Sequence, residues 1–122
     1  MNIKRSEILG SGSLSSPGIL NGAITLYCVL SIDRYSNRIL ESVYRDRKNA
    51  ESYRKRSSQK LHIEAEKVTG YTDQETLWCS NEWGPGDVLS FINLHTEYDD
   101  AYSACHSRGR PSPVKIADKI NE

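Results

Sequence analysis

The sequence predicts an α+β fold in which two similar β-β-α-β units, each with antiparallel strands and one short helix, share one core. Three features of the 122 residues support this prediction. Apolar and polar residues alternate in several short stretches, as they do in half-buried strands. The pattern Leu-aromatic-Cys occurs at residues 26–28 and again, 51 positions later, at residues 77–79. The chain is long enough for one domain with one core and too short for two ordinary domains.

The first predicted unit covers residues 23–69. The segment that begins at Ala23 alternates over ten residues and predicts a strand. The turn-forming residues "DRYSN" join it to a second strand, "RILESVYR", to make a hairpin. Asp46 is a suitable N-cap for a short helix in "RKNAESYRKRSS". The segment "KLHIEAEKV" predicts the closing strand, in which alternate residues face the core: Leu61, Ile63 and Ala65.

The second predicted unit covers residues 75–121 and repeats this order. "TLWCSNEW" and "VLSFINLH" predict a hairpin around the turn "GPGD". Thr96 and Asp99 resemble a capping box that opens a helix in "EYDDAYSACHS". "SPVKIADKI" predicts the closing strand, with Val114 and Ile116 at the positions of Ile63 and Ala65. Four identities occur at the 51-residue offset: Leu26/Leu77, Cys28/Cys79, Ala50/Ala101 and Ser52/Ser103.

The two units are expected to need each other. One unit of about fifty residues buries too little apolar surface to be stable alone, so the pair is expected to share a core. Cys28 and Cys79 would then be small buried residues at equivalent positions. The Gly/Ser-rich segment 1–22 predicts a flexible N-terminal arm, and residues 23–122 form the single domain.

Composition limits the classes of function. A mean hydropathy of −0.61 and the lack of any long apolar run argue against a membrane-spanning segment. The N-terminus lacks the apolar stretch of a secretory signal. The three cysteines form neither an even framework nor a CxxC pair, which favours a reducing, cytoplasmic location.

The residues that could support catalysis or cofactor binding show no typical spacing. Cys79, His95, Cys105 and His106 could supply a zinc site, but they lack CxxC, HxxxH or HExxH spacing. Neither glycine-rich segment follows a strand and opens a helix, as phosphate-binding loops do. The sequence therefore predicts a protein that is not an enzyme and has no cofactor or metal.

Charge is distributed unevenly along the chain. Residues 1–60 contain eleven Lys and Arg against five Asp and Glu, and residues 61–122 contain five Lys and Arg against eleven Asp and Glu.

In the acidic half, Trp83 is predicted at a hairpin tip, where a large side chain is difficult to bury. Trp and Tyr are frequent anchors of protein interfaces, and Tyr71, Trp78, Tyr98 and Tyr102 add aromatic surface, with ordinary packing as the alternative for Trp78 and Tyr102. The candidate protein-binding residues are Trp83, Glu82, Asp87, Glu97, Asp99 and Asp100.

The basic half suggests a nucleic-acid-binding alternative. Cations on and around the first helix could neutralise several phosphates, whereas a pI near 6.8 is low for a dedicated nucleic-acid-binding protein. The candidate residues are Arg45, Arg47, Lys48, Arg54, Lys55, Arg56 and Lys60.

The pattern "LYCVLSIDRYSNRILESVYRDRKNAESY" resembles small accessory proteins of bacteriophages and mobile elements. The resemblance is one of hairpin, Asp-started helix and alternating strand, and it carries no specific motif. It implies a non-enzymatic protein, of the anti-defence or anti-CRISPR kind, that binds and inhibits a partner. We therefore expect a monomer or homodimer that binds a protein partner, with nucleic acid as the alternative ligand.

Overall fold

The computed structural model describes residues 22–118, so the predicted arm lies outside the described residues except for Gly22. Within this range the strands and helices follow in the predicted order. They are β1 (Ala23–Ile32), β2 (Arg38–Tyr44), α1 (Arg47–Arg56), β3 (His62–Thr69), β4 (Thr76–Gly84), β5 (Val88–His95), α2 (Tyr98–Ala104) and β6 (Ser112–Lys115). This mixture of antiparallel strands and helices confirms the predicted α+β class.

The strands form two antiparallel sheets of three strands each. The first sheet has the order β2-β1-β3, and the second has the order β5-β4-β6. Each sheet contains one bulge between its central strand and the strand that follows. The extra residue is Glu41 on β2 in the first sheet and Ile92 on β5 in the second, because the pairing skips these residues.

The main hydrophobic core lies between the two sheets. One cluster of buried side chains contains residues from both of them, including Leu26, Leu30, Val43, Leu77, Phe91 and Leu94. Cys28 and Cys79 are buried in this same cluster, as predicted. Leu26 and Leu77 have no exposed surface, and full burial of such a side chain stabilises a fold by about 1.5–3 kcal/mol.

The helices cover the outer faces of the sheets. The fully buried Ala50 of α1 lies in a second cluster with Val29 and Tyr44 of the first sheet and with Leu61, which directly precedes β3. Ala101 of α2 is also fully buried, and α2 contacts β4 and β5 of the second sheet. The layers are therefore helix, sheet, sheet and helix, with α1 and α2 on opposite sides. Neither helix within residues 22–118 has the length and apolar character that crossing a membrane requires.

The predicted orientation of β3 is wrong. Glu66 and Val68 lie directly opposite Leu26 and Ile24 of β1, so their side chains are on the core face of the sheet. Ile63 instead packs in the α1 cluster, and Ala65 is exposed. The alternation was misleading because Glu64 and Glu66 occupy core-facing positions of β3, whereas the apolar Ile63 packs beside α1 on the other face.

Three further details differ from the sequence prediction. Thr96 donates its hydroxyl to the backbone oxygen of Thr69, and α2 has Glu97 as its N-cap without a side-chain hydrogen bond, so the predicted capping box is absent. Strand β6 ends at Lys115, earlier than predicted. Val114 lies opposite Leu77 in the second sheet, and Glu66 lies opposite Leu26 in the first. Val114 therefore corresponds to Glu66 and not, as predicted, to Ile63.

Candidate protein-binding surface

An aromatic ladder crosses the outer side of the second sheet. Tyr98 and Tyr102 are four residues apart on α2 and therefore project from the same side of the helix. Their ring centroids are 6.4 Å apart and the ring planes are inclined to each other by 28°. Trp78 of β4 meets the Tyr98 ring edge-on, with 5.0 Å between centroids. Tyr98 is 44% exposed and Tyr102 is 64% exposed, so the ladder leads from the sheet into solvent.

Three carboxylates surround the start of this helix. Glu97, Asp99 and Asp100 are all exposed, and none of them forms an ion pair within residues 22–118. Negative charge near a helix N-terminus is favourable because it complements the partial positive charge of the backbone there. We call the ladder and these carboxylates the α2 face: Trp78, Tyr98, Tyr102, Glu97, Asp99 and Asp100.

His95 and Ser80 form a polar contact beneath the α2 face. The Nε2 atom of His95 is 2.9 Å from Ser80 Oγ, which also accepts a hydrogen bond from the Asn93 backbone N–H. Burial lowers the pKa of His95, and the nearby carboxylate of Asp100 partly opposes this effect. Ser80 has no exposed surface. Its hydroxyl is therefore not accessible to a substrate.

The structure divides the predicted acidic site into two groups. Trp83 is 45% exposed and lines a shallow cavity of about 310 Å³ with Asp87, Ser107 and Arg108. Glu82, its neighbour in β4, is half-buried and bridges to His106 through the backbone. The α2 carboxylates lie beyond the other end of β5, which is eight residues long. The ends of such a strand are about 23 Å apart, so the six predicted residues do not form one patch.

The basic residues of α1 lie on the opposite side of the molecule from the α2 face. Glu51 pairs with Arg47 at 3.5 Å and with Arg54 at 2.7 Å. The remaining predicted cations here are exposed and form no ion pair within residues 22–118: Lys48, Lys55, Arg56 and Lys60. This group of six cations is called the α1 face.

Arg45 is separate from the α1 face. Its side chain is only 12% exposed and lies 3.6 Å from the Asp73 carboxylate. It also donates to the hydroxyl of Tyr71 and to the backbone oxygen of Asp118. Tyr71, predicted as aromatic surface, is buried in the core. Arg45 therefore holds together segments of the fold and is not available to a phosphate.

The cysteines do not form a reactive or metal-binding centre in the described part of the chain. Burial raises the pKa of Cys79 to about 12 and raises that of Cys28 further, so both thiols stay protonated. Cys105 donates its thiol to the backbone oxygen of Ala101 and accepts the N–H of Asn81. Within residues 22–118, no three His, Cys, Asp or Glu side chains converge as metal ligands.

Sequence reasoning missed the residues that join the two sheets. The guanidinium of Arg38 donates to the backbone oxygens of Phe91 and Ile92 and pairs with Glu64. The Glu66 carboxylate accepts the backbone N–H of Leu94 at 2.7 Å. Such contacts depend on how the sheets pack, so no local pattern predicts them. In contrast, the spacing of Tyr98 and Tyr102 could have revealed the ladder.

No protein-family model, curated protein or solved structure matches this chain.

Proposed function

We propose that this protein is a non-enzymatic binding protein whose α2 face binds a basic surface of a protein partner. The main support for the proposal is that the tyrosines of the ladder are exposed to solvent, Tyr98 to 44% and Tyr102 to 64%, and lie beside carboxylates that form no ion pair within residues 22–118. Exposed aromatic rings are costly to leave in water and contribute strongly when an interface covers them.

The charge of the α2 face indicates the chemistry of the partner. Glu97, Asp99 and Asp100 are close in sequence and exposed, and no Lys or Arg within residues 22–118 compensates them. An Arg- or Lys-rich groove would complement these carboxylates, and Arg guanidinium groups would also stack on the tyrosine rings. A groove that normally holds nucleic acid has this character. The proposed role is therefore inhibition or modulation of such a partner.

The proposal can be tested by capturing partners with a tagged chain from a lysate of the organism that encodes it. Replacing both tyrosines of the ladder, Tyr98→Ala with Tyr102→Ala, is expected to weaken capture of the partner by at least about tenfold, because interface aromatics often contribute 2 kcal/mol or more. Asp99→Lys with Asp100→Lys is expected to abolish capture. Tyr35→Ala is the matched control, since Tyr35 is an exposed tyrosine outside the α2 face at 47% exposure. Equal capture by all variants would overturn the proposal.

Nucleic-acid binding through the α1 face is the second candidate function. It is favoured by the separation of the two charged faces, because two sheets lie between the α1 cations and the α2 carboxylates. The acidic half then need not repel a polyanion bound at α1. Each phosphate that the protein neutralises would add about 0.9 to the slope of log affinity against log salt concentration.

Fluorescence anisotropy with a labelled DNA duplex and a labelled single strand distinguishes the two candidates. If the α1 face binds DNA, Arg54→Glu with Arg56→Glu removes binding and flattens the salt dependence. Arg108→Glu with Arg110→Glu gives the same change of net charge away from α1 and is expected to have a smaller effect. No saturable binding by the unaltered chain at low salt would exclude this function.

We also propose that the domain is a tandem of two related β-β-α-β units. This is supported by the shared strand order of the two sheets and by bulge residues Glu41 and Ile92, which are 51 positions apart like Ala50 and Ala101. The offset falls to 48 in the closing strands, where Val114 corresponds to Glu66. Helix α2 is seven residues long and α1 is ten, a difference that accounts for the change.

The proposed cellular setting follows from the binding role. A small, non-enzymatic chain of this kind fits the cytoplasmic accessory and anti-defence proteins of bacteriophages and mobile elements that its sequence pattern resembles. Such a role requires a stoichiometric complex, which size-exclusion chromatography of the captured partner with the purified chain would detect as one species of defined ratio.

A further inference from the structure

A partly open cavity of about 210 Å³ lies between the two sheets, and the α2 face does not line it. Its apolar wall includes Leu40 of β2 together with Phe91 and Val114 of the second sheet. Its polar lining consists of three uncharged side chains, Cys79, Asn81 and Ser112. No ionised side chain lines the cavity, so it is suited to a neutral occupant.

The side-chain oxygen of Asn81, Oδ1, accepts no hydrogen bond from the described part of the chain. The residue is 5% exposed. Its Nδ2 donates to the backbone oxygen of Arg110 at 2.6 Å and to the hydroxyl of Ser112 at 3.1 Å. The carbonyl acceptor fixes which end of the amide is nitrogen, so the orientation is determined. Oδ1 receives no hydrogen bond from residues 22–118, and buried acceptors usually have a donor.

The positions around Cys28 in the first sheet carry a different pair of residues from those around Cys79. Glu64 lies opposite Cys28, whereas Ser112 lies opposite Cys79. In the first sheet Glu64 pairs with Arg38, which reaches the backbone of β5. Arg38 pairs with the residue that lies four positions after Cys28. In the second sheet, the residue that pairs four positions after Cys79 is Leu89. Uncharged side chains, Ser112 and Leu89, therefore stand in the second sheet at the register positions that an ion pair holds in the first.

We propose that this cavity binds a small neutral molecule, a single-ring aromatic compound of the phenol class whose hydroxyl donates to Asn81 Oδ1. The size agrees, because an apolar cavity of about 150 Å³ accommodates benzene. Binding is non-covalent, because burial raises the pKa of the Cys79 thiol to about 12 and keeps it protonated.

The test compares phenol with toluene, which has the same size but no donor, by titration into the ¹⁵N-labelled full chain. Phenol is expected to shift the amide signals of cavity residues such as Asn81 and Val114 in a saturable way. Its affinity should exceed that of toluene by about three- to tenfold, the contribution of one hydrogen bond to a buried acceptor. Absence of saturable shifts, equal affinity for toluene, or shifts centred on Trp83 would overturn the proposal.

A filled cavity provides the second test. Val114→Phe adds a ring in the cavity, whereas Ile32→Phe adds one at a position that is 42% exposed elsewhere on the surface. Phenol binding should be lost in the first variant and retained in the second. If Val114→Phe keeps the dispersed spectrum of a folded chain and still binds phenol as the unaltered chain does, the cavity is not the site. The phenol and toluene comparison on the unaltered chain decides the matter if this variant does not fold.

Discussion

At the scale of single residues, Gly109 lies directly against the backbone of β4. A Cβ atom at this position would lie 2.0 Å from the backbone oxygen of Asn81 and 2.9 Å from the Cα of Glu82. Both atoms belong to β4, the central strand of the second sheet, so neither can move without disturbing the strand pairing. Only glycine fits here.

We therefore predict that Gly109→Ala lowers the free energy of unfolding by at least about 2 kcal/mol, because the added methyl group must displace backbone. Urea denaturation monitored by circular dichroism measures the change. Ser103→Ala, at an exposed position on α2, is the control and should change stability by less than about 0.5 kcal/mol. An unchanged midpoint for Gly109→Ala would contradict the close contact.

Glu66 is a carboxylate held on the core face of the first sheet. Burial raises its pKa above 4.5, although hydrogen bonds from Leu94 and Asn93 oppose the shift. The folded chain therefore takes up a proton at a pH where the unfolded chain has not yet done so. This contribution stabilises the fold at low pH and is lost as the pH rises through the folded-state pKa.

The variant Glu66→Gln should remove this pH dependence and should not lower stability at pH 7, because its amide oxygen can still accept from Leu94. Thermal unfolding measured from pH 4 to pH 8 provides the comparison. The exposed Glu75→Gln is the control. His95 has the opposite sign, since its lowered pKa removes stability as the pH falls below 6.5. His95 is present in both chains, so the difference between their stability profiles against pH reports the contribution of Glu66 alone. Identical profiles for Glu66→Gln and the unaltered chain would contradict the burial of Glu66.

At the scale of helices and strands, the two helices begin in different ways. Asp46 caps α1 by accepting the backbone N–H of Lys48 at 2.9 Å. Glu97 occupies the same position before α2 and makes no side-chain hydrogen bond. We predict that Asp46→Ala lowers the free energy of unfolding by about 1 kcal/mol, whereas Glu97→Ala lowers it by less than about 0.5 kcal/mol through the helix dipole alone. Chemical denaturation measures both, and equal losses would contradict the assigned caps.

The sequence could predict the elements because local chemistry determines them. Alternation identified β1 and β3, the turn residues and the 51-residue offset identified the hairpins that contain β2, β4 and β5, and Asp46 identified the start of α1. Alternation could not orient β3, because the core-facing positions of this strand hold Glu64 and Glu66, whereas the opposite face holds the apolar Ile63 and Ala65. The sequence predicted the α2 carboxylates as a group. It could not predict their distance from Trp83, because that distance depends on the length and direction of β5 in the folded chain.

At the scale of the whole molecule, the order of the layers places charges that are separated along the sequence on opposite sides of the fold. Six cations of the first half lie on α1 or just after it, and three carboxylates of the second half lie at the start of α2, on opposite sides of the paired sheets. One domain thus presents two surfaces of opposite sign, and Tyr98 and Tyr102 are exposed on the acidic one. A partner with a basic groove would be drawn to this side and held there by the aromatic ladder.

The most direct measurement of this central claim is site-specific photo-crosslinking with a benzoylphenylalanine residue in place of Tyr102, in a lysate of the organism that encodes the chain. The same residue in place of Tyr35 is the control. The proposed role of the α2 face predicts one discrete protein adduct from position 102, suppressed by Asp99→Lys with Asp100→Lys and absent from position 35. No adduct at position 102, or the same adducts from both positions, would contradict it.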